Sequence, residues 1–320
     1  MKKILVTGCA GFIGMHLCKE LLKNKFLIFG VDNLNDYYDT NLKMDRLEKL
    51  KTFDNFSFAK VDITNKSDLN EVFSEFKPDK VVNLAAQAGV RYSLVDPHAY
   101  VKTNIYGFLN ILEASKNNNI EGLVYASSSS VYGANEKIPF SIYDRVDAPI
   151  SLYAASKRSN ELMAYTYNHL YKLNVIGLRF FTVYGPWGRP DMAIYLFAKK
   201  IMAGQKISVY NHGNMLRDFT YIDDVVSGII SSLKKNYSNR IFNIGNNKPE
   251  NLLDVIKLIE DKLNKRAKIN FLEIQPGDVE KTFADIASAQ EELNYVPKTT
   301  VIKGIPKFIN WFKNYHNFKN

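Results

Sequence analysis

The sequence has little cysteine, scattered histidines and no long hydrophobic run, and each shortage excludes a class of protein. Its 320 residues include two cysteines, Cys9 and Cys18, which form neither a disulfide framework nor a metal-ligand pattern. The five histidines include no HExxH motif and no Cys/His cluster, so we expect no metal. No apolar run is long enough to cross a bilayer, and no signal-peptide cleavage pattern follows the start of the chain. These shortages predict a cytoplasmic protein without a membrane segment.

The charge balance is basic, with a formal net charge of +9. One interpretation is a nucleic-acid-binding surface. The lysines are dispersed, however, and no block of five like charges occurs, which favours a lysine-rich solvated surface and no nucleic-acid partner. A polyanionic small ligand also suits a basic protein.

Short apolar runs alternate with helical patterns over the first 180 residues. The predicted strands are residues 3–7, 26–31, 56–61, 80–84, 122–126 and 175–179, and the predicted helices are 12–23, 42–50, 67–76, 99–116 and 153–171. Continuous apolar strands separated by helices indicate a parallel sheet that is covered on both faces. We therefore predict an α/β fold with a doubly wound, Rossmann-type sheet.

The pattern changes after residue 180. Shorter elements follow, namely helices near 192–203, 223–233, 252–262 and 301–315 and strands near 207–210 and 241–244. We predict a Rossmann domain over 1–180, which also receives part of 211–240, and a smaller α/β lobe over 181–320. A cleft is expected between them.

Residues 7–14 read TGCAGFIG and follow the first strand. Gly8, Gly11 and Gly14 provide a tight turn, close backbone approach to a pyrophosphate and an unshielded helix N-terminus. The second strand is followed by Asp32, a carboxylate placed to accept from ribose hydroxyls and to repel a 2′-phosphate, so the pattern favours NAD over NADP. The alternative is a glycine-rich turn with a capping acid. After the third strand, Asp62 and Ile63 either flank the adenine or form a simple turn.

Residues 151–157 read SLYAASK, which puts Tyr153 and Lys157 on one face of a helix. A tyrosine has a pKa of about 10, so its use as a base near neutral pH needs a shift of about 3 units. A neighbouring ammonium and a positive nicotinamide ring both favour the phenolate. The serine run in YASSSSVYG (125–133) is either a linker or a catalytic segment. Because it follows a strand at the carboxyl edge of the sheet, Ser128 is placed to share a substrate oxygen with Tyr153.

Seven stretches are similar to those of the extended short-chain dehydrogenase/reductase family, whose members act on nucleotide sugars. They are DNLNDYYD (32–39), LAAQAGVRYS (84–93), ASSSSVYG (126–133), SLYAASK (151–157), LRFFTVYGPWGRPDM (178–192), RDFTYIDD (217–224) and QPGDV (275–279). The resemblance covers essentially the whole chain and is strongest to 4-epimerases of UDP-glucuronate. It implies an isomerase in which Ser128, Tyr153 and Lys157 are catalytic. Tyr153 would take the proton of the sugar 4-hydroxyl while a retained NAD takes the C4 hydride, which later returns to the other face of the keto sugar to give UDP-galacturonate for surface polysaccharide.

The resemblance also implies a cofactor site. Its predicted residues are Gly8, Gly11, Phe12, Ile13, Gly14, Asp32, Asn33, Asp62, Ile63, Leu84, Ala85, Ala86, Gln87, Asn104, Tyr153 and Lys157. Asn104 matches a position near the nicotinamide, although a polar helix residue facing solvent is an equal alternative. Gln87 and Arg91 follow the fourth strand near cofactor or substrate phosphates, without a fixed role.

The residues after Ser128 bear on the type of reaction. Related dehydratases and decarboxylases resemble Thr-Asp-Glu and Thr-Ser-Glu there, whereas this chain has Ser129 and Ser130, so no carboxylate is in place to eliminate water. We hypothesise that Ser129, Ser130, Thr182 and Arg189 receive the glucuronate carboxylate, with Arg189 as its charge partner. The alternatives are local turn bonding for the serines and an interdomain structural role for the arginine.

The smaller lobe would bind the rest of the nucleotide sugar. By resemblance, Arg217 grips a phosphate, Asp278 contacts the ribose, and Val209 and Tyr210 contact the uracil through backbone groups. Gln275 stands where some relatives have an arginine. Other interpretations remain: a 4-epimerase of UDP-glucose or a UDP-N-acetylhexosamine, a net oxidoreductase or decarboxylase, and a non-catalytic nucleotide-binding protein. By analogy with the family, helices 99–116 and 153–171 would pair in a homodimer.

Overall fold

A computed structural model of the chain describes residues 2–275 and 277–318. The first half forms parallel strands β1 (Lys3–Thr7), β2 (Leu27–Asp32), β3 (Phe56–Lys60), β4 (Lys80–Asn83), β5 (Gly122–Ser128) and β6 (Val175–Phe180), in the order β3-β2-β1-β4-β5-β6. This order confirms the doubly wound Rossmann-type sheet. Because the strands are parallel, the loops that follow them meet at the carboxyl edge of the sheet.

Helices cover both faces of this sheet. They are α1 (Phe12–Lys23), α2 (Thr40–Lys51), α3 (Lys66–Phe76), α4 (Pro97–Tyr100), α5 (Phe108–Asn117) and α6 (Leu152–Tyr171). Alternate strand residues supply the two cores: Val6 packs with the α1 side, whereas Leu5 and Val81 pack with the α3 and α5 side. The buried runs predicted as strands therefore have two covered faces, as in parallel sheets generally.

The prediction of one α-helix over residues 99–116 is wrong, because a wide π-helical segment, Val101–Gly107, separates α4 from α5. At its centre the Asn104 side chain accepts from the backbone N–H of Gln87 (2.8 Å) and donates to its carbonyl (2.9 Å). The side chain of Asn160 donates to the Asn104 carbonyl (2.6 Å). These bonds to other elements offset the poorer geometry of π turns, which often occur near functional sites.

The second half of the chain contributes the smaller lobe and also one strand, β10, of the large sheet. In chain order it comprises β7 (Thr182–Tyr184), α7 (Ala193–Met202), β8 (Lys206–Tyr210), β9 (Leu216–Tyr221), α8 (Ile222–Leu233), β10 (Asn239–Ile244), β11 (Pro249–Asn251), α9 (Leu252–Leu263), β12 (Lys268–Leu272), α10 (Ala287–Leu293) and α11 (Val301–Tyr315). Strands β11-β9-β7 form one small sheet, and β12-β8 form another.

The strand predicted near residues 241–244 does not lie in the smaller lobe. As β10 it pairs in parallel with β6 and becomes the seventh strand of the large sheet. Its residues Phe242 and Ile244 are fully buried there, and this burial of apolar side chains explains why the chain comes back to the large sheet. The division of the chain into two domains at residue 180 therefore stays a proposal. None of the helices in the described part of the chain has the length and apolar character needed to cross a membrane.

Candidate active site

A cleft of about 880 Å³ lies at the carboxyl edge of the large sheet, between it and the smaller lobe. Nearly all the predicted site residues line it: Gly8, Gly11, Phe12, Ile13, Gly14, Asp32, Asn33, Asp62, Ile63, Leu84, Ala85, Ala86, Gln87, Ser128, Ser129, Ser130, Tyr153, Lys157, Thr182, Arg189, Tyr210, Arg217 and Asp278. Two predicted residues lie elsewhere. Asn104 is buried behind the cleft wall, facing neither the cleft nor solvent, and the Val209 side chain points into the core because β8 alternates.

The glycine turn leaves no room for side chains. A Cβ on Gly8 would lie 2.7 Å from the Ala85 nitrogen, and one on Gly14 would lie 2.0 Å from the Gly8 carbonyl oxygen. Gly11 precedes the first residue of α1 and has no side chain to cap it. The first N–H groups of the helix are thus left for an anion, which fits a dinucleotide pyrophosphate.

The Asp32 carboxylate stands at the end of β2 beside this turn. Its oxygens accept from the backbone N–H groups of Ala10 (3.1 Å) and Leu34 (2.9 Å). Burial raises its pKa. A carboxylate fixed by two N–H donors still has lone pairs for ribose hydroxyls, so the position fits NAD. Asp62 accepts from the side chain of Asn33 (2.9 Å) and from the backbone N–H of Thr64 (2.8 Å), so it forms the simple turn. Asp62 also lines the cleft.

Tyr153 and Lys157 lie on the first turns of α6, whose N-terminus is capped by Ser151 (Oγ to Ala154 N, 3.1 Å). Burial raises the pKa of Tyr153, while the Ser128 hydroxyl and the Arg189 charge act to lower it. The Lys157 ammonium instead donates to the Ala126 carbonyl (3.0 Å). The pKa of Tyr153 is therefore raised on balance, and Lys157 is oriented by the end of β5.

The serine run is a structured turn that begins where β5 ends. Ser128 accepts from the Ser130 backbone N–H (3.1 Å) and its hydroxyl contacts the Ser130 hydroxyl (3.1 Å). The Ser127 hydroxyl donates to the carboxylate of Glu161 (2.6 Å). Local turn bonding is thus present, and it fixes Ser128, Ser129 and Ser130 on the cleft wall.

Glu161 anchors this wall. Its carboxylate receives two hydrogen bonds from Arg179 of β6, at 2.8 Å and 2.9 Å, in addition to that from Ser127. The two side chains are buried, with relative exposures of 2% and 0%. A bidentate pair of this kind, together with the bond from Ser127, joins α6 to β6 and β5 close to Ser128 and Lys157.

We expect Glu161→Gln to lower the free energy of unfolding by about 3–5 kcal/mol, because it leaves the Arg179 charge buried and unpaired. Urea unfolding followed by circular dichroism measures this. The matched control is Glu121→Gln, which breaks an exposed pair with Lys2 and should cost no more than about 1 kcal/mol. Equal losses in the two variants would contradict this account of the pair.

Arg189 extends from the loop after β7 into the cleft. Its Nε donates to Asp191 Oδ1 (3.1 Å), and its Nη2 donates to Asp191 Oδ2 and to the Ala88 carbonyl (3.3 Å). The sequence left two alternatives for Arg189, a structural role and a place in the substrate site. The side chain makes structural hydrogen bonds and also lines the cleft, so the two alternatives do not exclude each other.

At the other end of the cleft, charged groups of both lobes meet. Arg91 forms an ion pair with Asp278 (3.1 Å) and its guanidinium lies 4.5 Å from the ring centroid of Tyr210. Arg217 is held by the carbonyls of Leu216 (3.0 Å) and Glu280 (2.9 Å). Basic groups around a narrow cleft end suit a diphosphate. Pro276 of the QPGDV stretch lies outside the described residues.

The sequence did not assign two further cleft residues, Tyr37 and Asp191, or the buried Tyr100 behind the cleft wall. Tyr37 donates to Asp191 (3.2 Å), and Tyr100 packs edge-on against Tyr153 with ring centroids 6.0 Å apart. Tyr100 also donates to the Gly89 carbonyl. Tyr37 and Asp191 stand within quoted motifs, but tyrosine and aspartate are too common in such loops for their types alone to indicate a role.

Comparison with known proteins agrees with this geometry. Residues 4–245 match the family described as NAD dependent epimerase/dehydratase. Protein CapI of Staphylococcus aureus is 51% identical, over 98% of this chain and 99% of that protein. UDP-glucuronate 4-epimerase of Thermodesulfobacterium geofontis is 45% identical, over 97% of this chain and 95% of that protein. The Bacillus cereus UDP-glucuronic acid 4-epimerase, solved with UDP-glucuronic acid and NAD, superposes with a TM-score of 0.92 at 36% identity, over 98% of this chain and 99% of that one.

Proposed function

Since this chain belongs to the NAD dependent epimerase/dehydratase family, we propose that it is an NAD-dependent isomerase that interconverts UDP-glucuronate and UDP-galacturonate. The observation that carries this is the placement of Ser128, Tyr153 and Lys157 on one cleft wall beside the glycine turn. Proteins named UDP-glucuronate 4-epimerase match almost the full chain, which supports the same substrate.

The reaction needs a base at the sugar 4-hydroxyl. Tyr153 is that base, and Ser128 shares the oxygen as it loses its proton. NAD, when bound, supplies the acceptor for the C4 hydride and the donor that returns it. We propose that Lys157, whose ammonium donates to the Ala126 carbonyl, contacts the nicotinamide ribose and, with the positive nicotinamide ring, favours the Tyr153 phenolate. The keto sugar must turn over between the two hydride transfers, and the cleft gives it room.

The residues that follow Ser128 on the cleft wall favour inversion of the sugar C4 centre over elimination of water. Ser129 and Ser130 present hydroxyls in place of carboxylates, so no acid–base group is available there to remove water from the keto sugar. Hydroxyls can also donate to a substrate carboxylate. We propose that Ser129, Ser130 and Thr182, together with Arg189, receive the uronate group.

The activity should fall as the pH rises above about 8. Burial lowers the pKa of Lys157 from its ordinary value to about 8. The ammonium is therefore present below pH 8 and is lost above it, so kcat/KM should decline about tenfold per pH unit on the alkaline side. Initial rates from pH 6.5 to 9.5, with the melting temperature measured at each pH, test this. A rate that stays constant to pH 9.5 would rule out a required ammonium at this pKa.

Replacing Arg189 by alanine should raise KM for UDP-glucuronate about tenfold or more, which corresponds to about 1.4 kcal/mol of lost binding. KM for UDP-glucose should change much less, because that sugar carries no carboxylate. Steady-state kinetics with both substrates measure the difference. An equal rise for the two sugars would assign Arg189 a purely structural role.

The proposed activity is tested by incubating the purified protein with UDP-glucuronate and resolving the nucleotide sugars. UDP-galacturonate should form without accumulation of NADH at 340 nm. UDP-xylose or a 4-keto pentose would indicate decarboxylation. No product from UDP-glucuronate, with conversion of UDP-glucose or a UDP-N-acetylhexosamine, would reassign the substrate to a neutral hexose.

We further propose a homodimer that pairs α5 and α6 with the same helices of a second copy. Large apolar side chains on these helices and the adjoining π segment are exposed: Tyr106, Leu109, Leu162, Tyr165 and Leu170. A shared apolar face of this kind suits a two-fold interface. Light scattering after gel filtration at micromolar concentration should give twice the chain mass.

A cytoplasmic location is also proposed, and the free, buried thiols of Cys9 and Cys18 support it.

A further inference from the structure

The positive charge of Arg189 is paired with the carboxylate of Asp191 in the cleft. Asp191 binds its Nε and Nη2 edge through both carboxylate oxygens, and Tyr37 donates to the same carboxylate (3.2 Å). The Arg189 side chain is 19% exposed and that of Asp191 is 30% exposed, and both line the cleft. Burial acts to raise the pKa of Asp191, but the Arg189 charge and hydrogen bonds hold it below its ordinary value. The carboxylate is therefore ionised, and the pair carries no net charge.

The pair is also fixed in position. Arg189 Nη2 donates to the Ala88 carbonyl (3.3 Å), and its guanidinium lies 5.9 Å from the Tyr37 ring centroid. Gly89, with φ +111°, brings the backbone so near that a Cβ would lie 2.9 Å from the Tyr37 hydroxyl. Among the residues that the structure describes, none accepts from Arg189 Nη1, so this is the edge left for a ligand.

We propose that Asp191 determines how tightly the enzyme holds an anionic sugar, because it compensates the charge of Arg189 within the cleft. This inference rests on the proposed function. An isolated guanidinium in the cleft that Ser129, Ser130 and Thr182 also line would bind a carboxylate strongly. The compensated guanidinium still offers the donors of Nη1 to a carboxylate, but it attracts the carboxylate less than an isolated guanidinium would.

Weak holding suits the reaction. The keto sugar must leave its first orientation and turn over before the hydride returns, so each interaction of the carboxylate that strengthens the first orientation opposes turnover. Binding energy spent equally on ground and transition states does not raise kcat. Asp191 thus lowers the affinity of the cleft for the uronate group, and the sugar rotates more freely.

The variant that isolates the charge is Asp191→Asn, because the asparagine oxygen can still accept from Arg189 while the negative charge is removed. We expect the Kd of UDP-glucuronate to fall about fivefold and its kcat to fall by a similar factor. The Kd of UDP-glucose should stay within about twofold. Asp191→Glu, which retains the charge, should keep the wild-type ratio of the two Kd values. Asp254→Asn, on the exposed face of α9, makes the same change in net charge far from the pair and should also keep that ratio.

Calorimetric titration of the NAD-loaded protein with UDP-glucuronate and with UDP-glucose measures the ratio, whether or not the protein turns either sugar over. A higher preference for UDP-glucuronate in Asp191→Asn, with the ratio unchanged in Asp191→Glu and Asp254→Asn, supports the proposal. Unchanged or weaker binding of UDP-glucuronate in Asp191→Asn overturns it. Absence of UDP-galacturonate with the wild-type protein overturns the proposed function instead, and the ratio of Kd values still decides the role of Asp191.

Discussion

Replacement of Tyr153 by phenylalanine should lower kcat at least about a thousandfold, within the range that general acid–base catalysis contributes. The ring still fills its half-buried place against Tyr100, with centroids 6.0 Å apart, so the cleft keeps its shape. What disappears is the oxygen that accepts the sugar proton next to Ser128 and Arg189. The Kd of UDP-glucuronate should therefore stay within about threefold.

Single-turnover kinetics and calorimetry on the same preparation separate these two quantities. Tyr143→Phe is the matched control, because Tyr143 is 79% exposed in the loop before α6 and should keep wild-type activity. If Tyr153→Phe retained a tenth of the wild-type kcat, another group would have to be the base.

The second large effect is expected at the glycine turn. In Gly14→Ala the new Cβ would lie 2.0 Å from the Gly8 carbonyl oxygen and within 3 Å of further backbone atoms, so the turn itself must move. Overpacking costs up to about 3 kcal/mol, which would weaken NAD binding about a hundredfold if spent on the cofactor site. The NAD content after gel filtration and the melting temperature should both fall.

The control for this variant is Gly122→Ala at the start of β5. Its Cβ would meet the Asn174 oxygen at 3.7 Å, an ordinary contact, so NAD content and melting temperature should stay close to wild type. Normal cofactor content in Gly14→Ala would show that the turn does not approach the pyrophosphate closely.

Most of the large sheet was predictable because its apolar residues recur with a clear period and glycines mark the ends of its elements. β1 and α1 were predicted with their observed ends, because the apolar run and the glycines mark both. The short strands β7, β9, β11 and β12 and helix α10 were not predicted, since three to seven residues carry little periodicity. The return of β10 to the large sheet depends on long-range pairing with β6, which local sequence does not encode.

The candidate site was predictable where a motif constrains the backbone and less so where side chains pair across loops. The cleft position of Ser128, Tyr153 and Lys157 followed from their places at the ends of β5 and the start of α6. The pairing of Arg189 with Asp191, and of Arg91 with Asp278, depends on how loops of two lobes meet. Asn104 shows the same limit, because its role behind the cleft arises from a π segment that the helical pattern did not indicate.

The central claim is that C4 of UDP-glucuronate is inverted by removal and return of the same hydride. It is tested most directly with UDP-glucuronate deuterated at C4, by measuring the label in the UDP-galacturonate formed. The account predicts that the product keeps essentially all the deuterium at C4, because the hydride stays on the retained cofactor until it returns. Loss of the deuterium to water would contradict it.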